Sequence, residues 1–495
     1  MPLFQADPLP KGQDYRVTPV AGVIRLKGAR RRGFPNPLGQ LQSPNMNRKT
    51  LSAITALLML AGMCAPLGAY SIQYRDNGGV RAQRWVSNPI IIAFSTSLNS
   101  PPPNIKAGSD LIGATRRALQ HWSNAADIHF FETTSTTQTI SPANAGDRVN
   151  LITVSADNAP VFGPSENPGL TRVFYDSGGA IVEGDIALNP NESFSSDGTP
   201  GSYDLESTLT HEIGHLLGLE HSAIIGATMQ PRQPRNGLYG LPAFTQRTLS
   251  DDDVTGVRSL YGPRAGSGSI SGKLMSNGFA RAQTVFGGHV FVEEAASGRV
   301  VASSVTLANG DYHLHGLAPG AYRLIGQALN GPVAAADIAA GGSYSGLTET
   351  TPAFRSFVGA GLANQQFINV SANAAVESSY FVFPHSGPSL RPQVIGMNGE
   401  LSIAALPLLP GKTYAIYVGG DGVDQLNADG ISLSSPLILV KPASLSLEEF
   451  DTPYPVISFE VTVGANIQPG EYSIRLQSEG GEFAYLAGAL TIEPR

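Results

Sequence analysis

The stretch HEIGHLLGLEHSAIIGATMQP, residues 211–231, contains three histidines, a glutamate, glycines that interrupt apolar runs, and a methionine near its end. It reads either as a metal centre or as an amphipathic helix that happens to be rich in histidine. His211 and His215 stand four apart, so on a helix they share a face and bring two imidazoles close enough to hold one tetrahedral ion. One helix cannot supply a third ligand and still leave an open coordination position. Gly218 can take up left-handed backbone at the helix end and turn the chain so that His221 returns towards the ion. Three neutral imidazoles leave a fourth position for water, which zinc acidifies, and Glu212 is placed to take its proton. The expected chemistry is hydrolysis of a carbonyl. The helix-only reading accounts for Ile213, Leu216 and Leu217 but not for Gly218, His221 or Met229.

Upstream, Ser202 to Asp204 give a polar start and Leu205, Leu209, Ile213 and Leu216 an apolar face, which predicts a helix ending at Gly218. The segment 110–126 places Leu111, Ala114, Ala118 and Trp122 at helical spacing, with His121 and Trp122 as surface and packing positions. Residues 89–95 and 149–155 read as buried strands, and 169–189 as two strands around the turn DSGG. After a Gly/Ser-rich linker, the pattern becomes almost wholly alternating strand with Pro/Gly turns. The theme PGAYRL recurs as PGKTYAIYV at Pro410 and PGEYSIRL at Pro469.

The motif His-Glu-x-x-His-x-x-Gly-x-x-His, with Ser222 directly after it, ATMQP around Met229, and LSDDDVTGVRSLYG at 249–262, resembles the metzincin zinc signature and, within it, the matrixin branch. The resemblance spans roughly 84–262. It implies an α+β metzincin catalytic domain, with a mixed twisted sheet and an active-site helix, that cuts protein or peptide substrates. His211, His215 and His221 would be its zinc ligands, Glu212 the general base and then proton donor, and Met229 the support beneath the metal. It also implies that Gly169, Leu170, Thr171, Arg172 and Val173 lie on an edge strand where an extended peptide pairs. The segment from Gln230 through Pro231 towards Thr248 would wall a substrate pocket. Pro231 occupies the place where astacin-like and serralysin-like enzymes carry tyrosine, which favours the matrixin branch.

Departures from that family are expected too. No histidine lies between Glu132 and Thr210 to hold a second, structural zinc, and the propeptide cysteine of latent matrixins is missing. For Ca2+ the candidates are the Asp176 turn and the neighbourhood of Asp185 and Glu192, against the simpler reading of scattered carboxylates on an acidic surface. His129, His289, His313, His315 and His385 lack ligand spacing, although His313 and His315 fall on one face of a strand.

With 495 residues the chain is long enough for about three domains. The expected division is a leader or misassigned start (1–45), a signal peptide (46–69), the peptidase domain (70–263), a linker (264–268) and two all-β sandwich modules. The first module (269–340) resembles carboxypeptidase-regulatory-like sandwiches and the second (353–495) is immunoglobulin-like. Arg48 and Lys49, an apolar run from Leu51 to Met63 and small residues near Ala69 make the signal, whose core falls short of the roughly 20 residues of a membrane span. Cleavage after Ala69 would remove Cys64, the only cysteine, and deliver a secreted, extracellular chain with no disulfide and no stable membrane span. Residues 1–69 hold nine Lys/Arg and two Asp/Glu, so the remainder carries −7 − 7 = −14, which argues against nucleic acid as a partner. The β modules read as spacers by default, or as binders of a surface, a carbohydrate or a substrate protein. The rival to a peptidase is a surface adhesion protein in which the metal domain serves only as scaffold.

Overall fold

The computed structural model describes residues 71–493 apart from 77–79, 164–166, 244, 264, 278–280, 340–341, 360–365 and 386–388. The expected leader, the signal segment with Cys64, and residue 264 of the linker lie outside the described residues. The first half is built on a six-stranded mixed sheet: β1 (Arg84–Trp85), β2 (Ile90–Ser95), β3 (Phe130–Ser135), β4 (Leu151–Thr153), β5 (Gly169–Tyr175) and β6 (Ala180–Leu188). The order is β1-β6-β4-β2-β3, all parallel, and β5 pairs antiparallel with β6. The β5–β6 hairpin turns on Asp176, whose carboxylate accepts the N–H groups of Gly178 (2.8 Å) and Ala180 (3.0 Å). Among the described residues β6 is the only strand paired with β5, which therefore forms the rim of the sheet.

Beside a single short turn of helix at Ala159–Phe162, three longer helices complete this half. Helix α1 (Leu111–Ala125) starts at Asp110, which caps the Gly113 N–H, and buries Leu111, Ala114, Ala118 and Trp122 at the spacing the sequence predicts. Helix α2 (Leu205–Leu216) starts at Asp204, which caps the Ser207 N–H at 2.9 Å, and every residue in it is buried. Two indoles hold it in place. Trp122 donates from Nε1 to the Thr210 carbonyl (2.9 Å), and Trp85 donates to the Leu216 carbonyl (2.8 Å). Helix α3 (Asp251–Tyr261) opens with a Ser250/Asp253 capping box.

Beyond α3 the described chain is strand with a few short 3-10 turns. All three Pro-Gly-Tyr themes lead into strands: Gly320–Ala328, Thr413–Asp421 and Gly470–Ser478. The all-β character is as expected, with one feature of register added. Strand Arg299–Val305 pairs with Gly470–Ser478, Arg299 opposite Tyr472 and Val300 opposite Glu471. A single nine-stranded sheet therefore draws on residues from both of the anticipated sandwich regions. A second sheet of five strands forms around Gly268–Asn277, and a third of six contains Arg391–Met397, Thr413–Asp421 and Val456–Val463.

The two halves of the chain are joined by apolar packing and hydrogen bonds. Ile224 and Ala227, ten residues or so beyond α2, lie in one core with Phe291, Val300, Ile325, Tyr485 and Ala487. Ile225 donates its N–H to the Ala487 carbonyl (2.9 Å), and Thr255 of α3 donates its hydroxyl to the Val301 carbonyl (2.9 Å). The Asp252 carboxylate accepts from both the N–H and the hydroxyl of Ser303, as well as from the Ser222 hydroxyl (2.6 Å). Because Ile224 is fully buried, Ile224→Ala is expected to destabilise the folded chain by about 2–4 kcal/mol, measured by urea unfolding at fixed zinc concentration. A loss below about 1 kcal/mol would mean the contact is looser than this packing implies.

Candidate metal centre

His211 and His215 project from the last two turns of α2, and the end of that helix explains how His221 reaches them. Gly218 has φ +95°, its N–H donates to the His215 carbonyl (2.9 Å) and the Leu219 N–H to the Gly214 carbonyl (3.0 Å), the paired hydrogen bonds of a Schellman motif. A Cβ at Gly218 would stand 2.3 Å from the Gln83 carbonyl oxygen. The turn is backed by residues 71–73: Gln73 donates its N–H to the Gly218 carbonyl (2.9 Å), and Glu220 donates its N–H to the Ser71 carbonyl (2.6 Å). The chain that leaves this turn brings the His221 ring to 5.4 Å from His211 and 4.8 Å from His215, centroid to centroid. One ligand nitrogen from each of the three lies within 4.8 Å of the others.

Each imidazole is tied on its far side. The Nδ1 atoms of His211, His215 and His221 lie 2.8, 2.9 and 2.6 Å from the carbonyl oxygens of Thr228, Leu219 and Asp337. A carbonyl only accepts, so Nδ1 carries the proton in all three rings and the ligand lone pair lies on Nε2. Burial pushes the His211 imidazole down to about 3, and His215 and His221 are also lowered, chiefly by burial. The rings are therefore neutral at pH 7. Three neutral, oriented imidazoles in a buried cup fit a borderline divalent cation such as zinc, and this is the only group of three or more His, Cys, Asp or Glu among the described residues with that geometry.

Glu212, between the first two histidines, turns towards β5. The Thr171 hydroxyl lies 2.6 Å from Glu212 Oε2 and 2.9 Å from its backbone carbonyl. Burial pushes the carboxyl up to about 7, with the Thr171 hydroxyl opposing the rise. A Cβ on Gly169 would stand 2.4 Å from Glu212 Oε1, so the glycine leaves room for the carboxylate. The other β5 positions have separate tasks: Arg172 donates to the Ser141 carbonyl, Val173 is buried, and Leu170 is half-buried beside Phe162 and Ala187.

Met229 is fully buried against α2, where a Cβ on Gly214 would lie 2.2 Å from its Sδ and 2.9 Å from the Trp122 ring. The loop that carries it closes on itself, with the Ser222 N–H donating to the Met229 carbonyl (2.8 Å). Asp253 of α3 accepts the N–H groups of Thr228 (2.8 Å) and Met229 (3.2 Å). Pro231 comes next after Gln230 and is half-buried, and Arg232 reaches Asp337 at 2.9 Å.

The carboxylates considered for calcium have other partners. Asp185 accepts the N–H groups of Ser141 (2.7 Å) and Leu151 (3.0 Å) and is pushed up to about 7 by burial. Glu183 takes those of Asp147 and Arg148, and Glu192 pairs with Arg235 at 2.6 Å. His313 and His315 stack at 6.0 Å on one strand face, and His385 lies 3.2 Å from Glu482. Four groups at the site were missed in the sequence: the Thr171 hydroxyl, the Asp253 carboxylate, the Trp122 N–H and the Asp337 carbonyl. A clue existed for Asp253, as part of the capping pattern SDDD; a carbonyl 116 residues away leaves none.

Ala at position 218 meets both an unfavourable left-handed φ, about 1–2 kcal/mol, and the Gln83 carbonyl. Gly218→Ala is expected to lower the melting temperature and the zinc bound per chain together; an unchanged melting temperature would contradict the turn described here.

The matrixin family model matches residues 94–262, about a third of the chain. Metalloendoproteinase 1 of Glycine max is 29% identical over 190 residues, covering 36% of this chain and 53% of that protein. Interstitial collagenase of Equus caballus is 31% identical over 156 residues, covering 31% of this chain and 29% of the collagenase. The chain thus spans about half the length of the first relative and under a third of the second. Among solved structures the chain aligns with the Bacillus cereus major pilin BcpA at 12% identity and a TM-score of 0.14, covering 44% of this chain and 66% of the pilin, a likeness too slight to carry an argument. Residues 94–262 form a matrixin-like peptidase domain, followed by a half made of β-sheets.

Proposed function

We propose that this chain is a secreted zinc-dependent endopeptidase that cuts extended segments of extracellular proteins. The observation that carries the reading is the convergence of three neutral imidazoles, each with Nδ1 bonded to a carbonyl, beside a buried glutamate. His211, His215 and His221 would hold the ion, which when bound supplies the Lewis acidity that polarises water and the scissile carbonyl. The rest falls to the chain's own groups. A substrate strand pairs with the rim strand β5 through backbone hydrogen bonds, beside residues 169–173, with Pro231 at the start of the opposite wall. Thr171 holds Glu212 Oε2, so Oε1 takes a proton from the attacking water and returns it to the leaving amide nitrogen. The water oxygen bonds to the carbonyl carbon, the C–N bond breaks, and an acid and an amine result. Met229 supports the floor, and Gly169 keeps Glu212 within reach of the cleft.

Secretion is supported by the signal-like segment 46–69. No helix among the described residues is long and apolar enough to cross a membrane.

Purified full-length protein is expected to bind one zinc ion and to cut an unstructured protein such as casein. A chelator should stop the cleavage and added zinc should restore it. Glu212→Ala is expected to keep its zinc and lose cleavage by at least about a hundredfold, the scale of a lost general base. Zinc-loaded wild type that cuts no member of a diverse peptide library would instead favour the adhesion reading. Gly169→Ala displaces the end of a flexible side chain rather than backbone, so kcat should fall while zinc content and melting temperature hold; an unchanged kcat would show that the crowding at Glu212 is of no consequence.

A further inference from the structure

The third histidine is held differently from the first two. The acceptors for His211 and His215, Thr228 and Leu219, belong to the matrixin-like region itself, but the acceptor for His221 is the Asp337 carbonyl, from the half made of sheets. Asp337 closes a single 3-10 turn, Ala335–Asp337, whose Ala335 and adjoining Ile338 are completely buried. The turn is fixed by the Asp337 side chain: Oδ2 accepts the Ala334 N–H at 3.0 Å and Oδ1 pairs with Arg232 at 2.9 Å. Arg232 lies directly after Pro231 in the wall segment. The next carbonyl, that of Ile338, accepts the His221 N–H at 3.4 Å. Residues 334–338 thus meet the histidine by ring and backbone, and the wall by an ion pair.

We propose that this turn is a part of the metal site contributed by the β half: Asp337 is a positioning residue that orients His221, and full zinc affinity requires the β-sheets. The proposal rests on the zinc reading above. It gives the β half a task that a spacer or a ligand-binding module would not have. An imidazole whose Nδ1–H is held by an acceptor is fixed in rotation and is the stronger donor through Nε2, and loss of such a partner costs roughly 10–100-fold in metal affinity. The Asp337 carbonyl survives any side-chain substitution, so the lever is the side chain that fixes the turn.

The test uses the full chain. Zinc affinity is read by competition with a chromophoric chelator. The histidine ring protons are read by NMR on protein labelled with 15N-histidine, where an Nδ1–H bonded to a carbonyl exchanges slowly. Wild type should show one zinc and three such protons. Asp337→Ala should bind zinc about tenfold more weakly and lose or shift one of the three signals, with the other two unmoved. Lys441→Ala, which removes a remote exposed pair with Glu460 in the same half, should match wild type in both readouts. If Asp337→Ala fails to fold, as judged by circular dichroism, Asp337→Asn carries the comparison. It keeps an acceptor for the Ala334 N–H, loses the charge opposite Arg232, and should weaken binding by a smaller but measurable factor. A folded Asp337 variant with wild-type affinity and three unmoved signals overturns the positioning role alone, because wild type would still bind zinc. A wild type that takes up no zinc overturns the metal reading and this inference with it.

Discussion

Three imidazoles can face one another in a buried cup only if each has somewhere to put its remaining N–H. Here the three acceptors are backbone carbonyls from three separated stretches: the turn after α2, the Met229 loop and the Asp337 turn. The groups around the site fix those carbonyls. Gly218 and residues 71–73 fix the first, Asp253 fixes the second through the Thr228 and Met229 N–H groups, and the Asp337 side chain fixes the third. A buried N–H left without its acceptor costs about 1–3 kcal/mol, so none of the three carbonyls can be displaced cheaply.

The helix that carries two of the histidines is itself held by polar bonds through an apolar setting. Trp122 and Trp85 each bury a large ring and use the indole N–H on a carbonyl of α2, so orientation and burial come from the same side chain. Gly214 lets Met229 and Trp122 approach the helix backbone at a distance no side chain would allow. The result is a braced platform, on which the geometry of the three histidines depends more than on any single contact.

What could be read from residues alone tracked the range of the interaction. Helix α2 was legible at both ends, because Asp204 and Gly218 act within a turn of their own positions. The convergence of His211, His215 and His221 was legible because one helix period and one left-handed turn set it. The strand alternation of the β half and the hairpin at Asp176 were legible on the same grounds. The task of Thr171 was not: period two places it on a face but does not say that a glutamate comes down on that face. Trp122 read as a packing residue, and its N–H bond to Thr210 depends on how two helices meet. The shared sheet of Arg299–Val305 and Gly470–Ser478, and the reach of Asp337 to His221, are set by tertiary packing across long stretches of chain.

That long reach bears on when the site comes into being. During synthesis the HExxH helix leaves the ribosome well ahead of the strands it relies on, and chains order their N-terminal parts first. His221 must wait for a carbonyl 116 residues further on, and the loop around Ile224 and Ile225 for a strand that ends at Ile492. Non-local pairings of this kind form slowly, since loop closure must precede any reward from contact. The histidine cup is therefore finished late, and a chain that has not yet extended past Asp337 is still missing the acceptor for its third histidine.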